Sequence, residues 1–330
     1  MEAVFLDYAT VSYADLDATA LTKAAQNLRF YDSTADSQIA ERIRDAHVVL
    51  LNKLKLGRDL LHEARALRLI ALAATGTDNV DLAAAQERGI AVCNVRDYCT
   101  PSVVQHAWAM ILSLTQRLAE NGRFATGGSW ARGEEYAAVT HNPVQPAPAP
   151  SSSPCIHELA GRTLGIVGWG KLGRGVARVG EIFGMRIAIA NRPGESPVQG
   201  RLDLPQLLAT ADIVSLHCPL NRSTHGLIGV RELALMKSQA LLVNTARGAL
   251  IDTGALAAAL KAGRLGGAGI DVLPQEPPVD GDPLLDPDIP NLILTPHVAW
   301  SARESRQRCI DEMAANIQDF LRGGRRGRVV

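Results

Sequence analysis

Arg247 in LLVNTARGAL, Glu276 in GIDVLPQEPP and His297 in LILTPHVAW each sit just past an apolar run. A guanidinium, a carboxylate and an imidazole leaving the C-terminal ends of successive strands are the groups needed to hold an α-oxo or α-hydroxy acid and move its proton. His297 suits the proton carrier, because an imidazole titrates near about pH 6.5 and can take and return a proton at working pH. Glu276, hydrogen-bonded to the second ring nitrogen, would fix the tautomer and stabilise the imidazolium. Arg247 offers substrate oxygens a planar fork that a lysine could not equal. Taken singly, each has a plainer reading: a structural histidine, a helix-capping or ion-paired arginine, a solvated loop glutamate. Three such residues at strand ends on one ligand-binding edge outweigh those readings.

The partner of this chemistry lies upstream in TLGIVGWGKLG. A lone GxGxxG motif is weak, but here a strand over 163–167 precedes it and a helix with apolar Leu172, Val176, Val179 and Ile182 follows. Gly168 permits the tight turn, Gly170 lets phosphates approach the backbone, and Gly173 lets the helix pack on the strand. The helix start, with Lys171 and Leu172, can then turn N–H groups and the helix dipole toward a pyrophosphate. The next strand, MRIAIA, ends in Asn191 and Arg192 where an acid would bind a ribose 2′-hydroxyl. An amide followed by a guanidinium can accept a 2′-phosphate, so the sequence leans to NADPH over NADH, with dual use open.

These groups need two sheets to position them. From the start, AVFLDY, LRFYD, HVVLLN, LRLIALA and IAVCN alternate with helical patterns near 15–26, 36–45, 57–66 and 79–88, which predicts an α/β lobe on a parallel sheet. TPSVVQHAWAMILSLTQRLAENGRF reads as one long bridging helix opened by Thr and Pro. A second alternation, TLGIVG, MRIAIA, DIVSLHCP, ALLVNTA, GGAGIDVL and NLILTPH, predicts six strands of a dinucleotide-binding sheet. The helix after Trp300 is expected to return to the first lobe. The expected domains are therefore a discontinuous substrate domain, 1–100 and 299–330, and a dinucleotide-binding domain, 101–298. The proline- and serine-rich stretch 138–155 reads as an exposed loop, and GGRRGR at 323–328 as a frayed, solvated tail.

With 330 residues, 47% of them hydrophobic, the chain can bury two cores. Lys plus Arg and Asp plus Glu both number 34, so no net field recruits nucleic acid or an anionic membrane. The five cysteines (Cys93, Cys99, Cys155, Cys218, Cys309) form no CxxC pair, so neither a disulfide framework nor a metal site is expected, and a reduced, cytoplasmic setting fits. The opening MEAVFLDYAT reads as a strand, and no apolar stretch is long enough to span a bilayer.

The glycine loop, NTARG, DV followed by EP, and TPH occur in an order that resembles the D-2-hydroxyacid dehydrogenase family over nearly the whole chain. The resemblance implies two Rossmann-like α/β lobes with doubly wound parallel sheets, an active site in the cleft between them, and a homodimer. It also implies that Arg247, Glu276 and His297 are catalytic. PHVAWS with Trp300, ATGTDNVDL and SVVQHAW are similar to the glycerate dehydrogenase or hydroxypyruvate reductase branch, which reduces hydroxypyruvate and often glyoxylate. The substrate carboxylate would then meet N–H groups around Ala74, Thr75, Gly76 and Thr77, with Lys53 and Trp300 as further substrate contacts. By the same resemblance Cys218, Pro219, Thr224, Thr245 and Ala246 lie around the cofactor, and Asp271 reaches the nicotinamide carboxamide. A strand-end carboxylate has its own reason to accept from an amide, whereas His217 reads as plain packing. Two other readings stand within this fold: a dinucleotide-sensing, corepressor-like binding protein and a phosphonate-oxidising dehydrogenase. A formate dehydrogenase would carry Gln at 276. Asn191 and the long proline-rich stretch depart from the family pattern.

Overall fold

Runs such as VVLL and LIAL are apolar on both faces, so they are stable only as interior strands covered by helices on either side. A computed structural model of the chain, describing residues 1–128, 130–132, 156–192 and 196–330, places them so. The stretch 138–155, read as an exposed loop, lies outside the described residues, and Cys155 with it. The chain divides into two units, Met1–Ser102 with Trp300–Val330, and Val103–Ala299.

The first unit holds strands β1 (Glu2–Phe5), β2 (Asn27–Phe30), β3 (Val48–Leu51), β4 (Leu69–Leu72) and β5 (Ala91–Cys93). They are parallel in the order β2-β1-β3-β4-β5. Helices α1 (Thr19–Ala24), α2 (Asp36–Ile43), α3 (Arg58–Glu63) and α4 (Leu82–Glu87) connect them. The Asp81 carboxylate caps α4 by accepting from the Ala84 N–H at 2.9 Å. The first helix starts at Thr19, later than its sequence pattern, and ahead of it lies Asp15. Arg306 grips it with two hydrogen bonds of 2.8 and 2.6 Å, and that guanidinium holds the Asp15 carboxyl well below the usual carboxylate range.

The pattern expected to form one bridging helix forms two, α5 (Thr100–Gln116) and α6 (Leu118–Thr126). Arg117 between them takes the left-handed conformation, φ 50°, which interrupts the α-helical ladder. The second unit then builds β6 (Thr163–Val167), β7 (Arg186–Ile189), β8 (Ile213–Leu216), β9 (Leu241–Asn244), β10 (Gly267–Ile270) and β11 (Leu292–Leu294). They form one parallel sheet, β11-β10-β9-β8-β6-β7. Helices α7 (Lys171–Ile182), α8 (Leu204–Thr210), α9 (Val230–Leu235) and α10 (Thr253–Lys261) cover it together with α5. Strand alternation sorts the core into two layers. Val214, Leu216 and Leu242 pack with Leu207, Leu233 and Leu256, while Ile213, Leu241 and Val243 pack with Trp108, Ile111 and Val176. Among the described residues no helix is long and apolar enough to cross a membrane.

The final helix, α11 (Arg303–Leu321), belongs to the first unit, burying Cys309, Ile310, Met313 and Ile317. The basic segment behind it is not frayed, contrary to the sequence reading. Val329 donates its N–H to Val92 O at 2.7 Å, the Asn94 N–H donates to Gly327 O at 3.0 Å, and Arg326 pairs with Glu312 at 3.2 Å. The reason is that β5 is an edge strand whose outward backbone groups need partners, and the segment after α11 supplies them. Gly327 turns the chain at φ 62° where a Cβ would lie 2.6 Å from Asn316 Nδ2 and 2.7 Å from Asn94 O. Gly327→Ala is therefore expected to cost roughly 1–3 kcal/mol, read as a lower midpoint of urea unfolding; an unchanged midpoint would show that the tail is not held in this way.

Candidate active site

In the second sheet Asn244, Ile270 and Leu294 are level with one another, because β9, β10 and β11 are adjacent and parallel. The residues that follow must therefore emerge along one edge. Arg247, Glu276 and His297 are those residues. Glu276 and His297 meet directly, with Oε2 2.5 Å from Nδ1. The other carboxylate oxygen of Glu276 accepts from the Leu273 N–H at 2.9 Å, so the backbone sets the orientation of the acid.

His297 holds a left-handed backbone, φ 55°, which costs a non-glycine residue about 1–2 kcal/mol. Asp271 offsets this. Its carbonyl accepts from the His297 N–H at 2.7 Å. Its buried carboxylate accepts from the N–H groups of Val298 and Ala299, both at 2.9 Å, and from the Thr295 hydroxyl at 2.6 Å. Asp271 is 1% exposed and in this arrangement staples the turn that carries the imidazole. That task is visible in the geometry, whereas the carboxamide contact is an implication of the resemblance alone.

Arg247 follows a turn clamped by the fully buried Asn244, whose side chain accepts from Ala246 N–H at 3.0 Å and donates to Arg247 O at 2.9 Å. Arg247 Nη1 donates to Ala246 O at 2.8 Å. At Gly248 an added Cβ would stand 2.0 Å from the carbonyl carbon of Leu273. Only glycine lets the Arg247 turn pack backbone to backbone on the loop that carries Glu276.

The glycine loop leaves β6 beside the end of β8, where the strand order turns outward in both directions, the place at which open α/β sheets bind ligands. Gly168 has φ 105°, and its Cβ would lie 2.5 Å from Cys218 N. A Cβ on Gly173 would collide with Gly168 O at 2.1 Å, whereas one on Gly170 would meet nothing within 4 Å. Thus Gly168 and Gly173 are demanded by packing, and Gly170 faces open space at the start of α7, a helix with no side-chain cap. Lys171 and Leu172 open that helix. Thr245 adds a buried hydroxyl with no hydrogen-bond partner, in the turn that also contains Ala246. An open glycine, uncapped helix N–H groups and an orphaned hydroxyl fit a dinucleotide.

The remaining cofactor candidates divide. Thr224 spends its hydroxyl closing its own loop, donating to Pro219 O at 2.7 Å and accepting from Asn221 N–H at 2.8 Å. Burial pushes the Cys218 thiol up to about 11, so it is a packed thiol and not a nucleophile. Asn191 donates to Asp203 Oδ1 at 2.9 Å and accepts from Val198 N–H at 2.9 Å. A carboxylate distant in sequence therefore stands at the end of β7, and Arg192 is exposed next to Asn191.

In the first unit, Asp7 accepts from the N–H groups of Asn52, Lys53 and Leu54 at 2.9, 2.7 and 3.2 Å. It thereby presents Lys53, whose Nζ lies 5.9 Å from the Trp300 ring centre. Thr75 is pinned through its hydroxyl to Val95 O at 2.9 Å and through its carbonyl to Asn94 Nδ2 at 2.7 Å, which fixes the turn containing Gly76 and Thr77. Sequence reasoning missed the residues that orient others: Asp7, Asn94, Asn244, Gly248, Thr295 and Asp203. Asn244 and Gly248 inside NTARG and Thr295 inside TPH carried a signal, since they flank the arginine and the histidine in those motifs; Asp7, Asn94 and Asp203 carried none.

Residues 108–299 match the family described as D-isomer specific 2-hydroxyacid dehydrogenase, NAD binding domain. The chain is 39% identical over 294 residues to a glycerate dehydrogenase of Methylorubrum extorquens, covering 89% of this chain and 88% of that protein. It is 38% identical to a glyoxylate reductase of Aeropyrum pernix, covering 86% and 81%. The crystal structure of the TT0316 protein from Thermus thermophilus superposes with a TM-score of 0.82 at 31% identity over the full length of both chains.

His217, beside Cys218, bonds Ser215 Oγ at 2.8 Å and has its Nδ1 shut away from solvent without a partner. Burial pushes this imidazole down to about 4. The unfolded chain takes up the proton first, so the contribution is intact above about pH 6.5 and is lost as pH falls toward 4, by at most about 3 kcal/mol. His217→Gln should flatten the fall in urea midpoint between pH 6.5 and 4.5; parallel curves for variant and wild type would remove His217 as the cause.

Proposed function

The chain belongs to the D-isomer specific 2-hydroxyacid dehydrogenases, and from that premise we propose that it reduces hydroxypyruvate, and glyoxylate with it, to D-glycerate and glycolate. The observation that carries the chemistry is the Glu276–His297 contact on the sheet edge that also holds the glycine loop. A bound nicotinamide dinucleotide supplies the hydride equivalent that reduces C2. The chain supplies the proton and the charge. With Nδ1 committed to Glu276, His297 delivers a proton from Nε2 to the carbonyl oxygen, and Glu276 stabilises the imidazolium that forms before delivery. Arg247 turns its fork from Ala246 O to the substrate carboxylate and carbonyl oxygen.

The same reading assigns Lys53, Trp300 and the N–H groups of Thr75, Gly76 and Thr77 to substrate binding. Gly168, Gly170, Lys171, Leu172, Gly173, Thr245 and Ala246 are assigned to the dinucleotide. A homodimer is part of the proposal, with exposed Leu118 and Ile182 of the second unit as apolar surface for it to cover. The cytoplasm is its setting, in keeping with four free cysteines among the described residues.

Arg192 favours a 2′-phosphate and Asp203, bound to Asn191, opposes one. We therefore propose use of both cofactors, with NADPH modestly ahead. Asn191→Asp, by adding a second negative charge, is expected to move the kcat/KM ratio toward NADH; an unaltered ratio would count against this role. Steady-state rates with hydroxypyruvate, glyoxylate and bulkier 2-oxo acids test the activity itself. In His297→Ala turnover should fall by roughly a hundredfold or more while dinucleotide affinity stays near wild type. Near-normal turnover in that variant would end the assignment.

A further inference from the structure

His106 lies on α5 and belongs to none of the assignments above. It is brought to the active edge by a packing constraint. A Cβ at Gly269 of β10 would stand 2.9 Å from the Met110 Cβ, so α5 rests directly on that strand. One turn before Met110, His106 reaches the strand's C-terminal end. Its Nε2 is 3.0 Å from Thr295 Oγ1 and 3.6 Å from Asp271 Oδ1.

The direction of these bonds follows from counting protons. The Thr295 hydroxyl has one, and at 2.6 Å it is given to Asp271 Oδ1, because an ionised carboxylate can only accept. Thr295 must then accept from His106, which fixes the imidazole with its proton on Nε2. The same N–H lies in the field of the buried Asp271 carboxylate, and among the described residues His106 is the only basic side chain in ion-pairing range of it. A buried carboxylate deprived of a donor re-orients to find another. That change would disturb the bonds to Val298 and Ala299 that hold the His297 turn.

We propose that His106 is a positioning residue for the catalytic imidazole: its Nε2–H holds Thr295 and Asp271 in the arrangement that sets the backbone of His297. The inference rests on the reading of His297 as the proton carrier. His106→Leu removes the donor while filling similar space, and His106→Gln returns an N–H at comparable reach. In the full-length protein His106→Leu should lower kcat by roughly tenfold to a hundredfold, with KM and dinucleotide affinity within about twofold, and His106→Gln should recover most of the loss. A second readout needs no turnover. In protein labelled at histidine, the His297 ring resonance, identified by its absence from His297→Ala, should shift in His106→Leu and return in His106→Gln.

An unmoved resonance in His106→Leu, or equal effects of the two variants, overturns the inference whatever the activity. A moved and rescued resonance in a protein that reduces no 2-oxo acid would uphold the positioning and overturn the proposed reaction.

Discussion

One buried carboxylate organises the active edge. Asp271 gives three acceptors to three consecutive residues, 297 to 299, and that is what makes a left-handed histidine tolerable. Glu276 can then meet the imidazole from the neighbouring loop without either residue leaving its backbone position. A charged group out of water is stable only when its oxygens are satisfied, so the staple and the turn depend on each other. The geometry of the Glu276–His297 pair is therefore a consequence of backbone hydrogen bonding, with the side chains following from it.

Glycine performs the complementary task where backbones must touch. Gly248 seats the Arg247 turn on the Leu273 carbonyl, Gly168 seats the glycine loop on the end of β8, and Gly269 seats α5 on β10. Each would be closed to any Cβ, and each joins two elements that carry functional residues. Gly170 is the contrast, with open space where the others have contact. Packing explains the first three and makes no demand on the fourth.

Most strands and the proposed catalytic residues were legible because their signals are local. Period-2 and continuous apolar runs mark strands, and Arg, Glu and His after such runs stand out against the apolar background. The break at Arg117 was not legible, since a single left-handed residue leaves the helical apolar spacing nearly intact. The docked tail was missed for a different reason. GGRRGR has the composition of a solvated tail, and only the unsatisfied edge of β5 gives it somewhere to bind.

The sequence by itself determined the two parallel sheets, the glycine loop and the identity of the three chemical groups, because each depends on residues close together along the chain. Tertiary structure decided which polar residues orient them. Asp271 turned inward to the backbone of residues 297 to 299, and Asp203 joined Asn191 at a strand end that the sequence shows without an acid. Hydrogen-bond partners distant in sequence are chosen by where folding brings donors and acceptors together, and no local pattern records that choice.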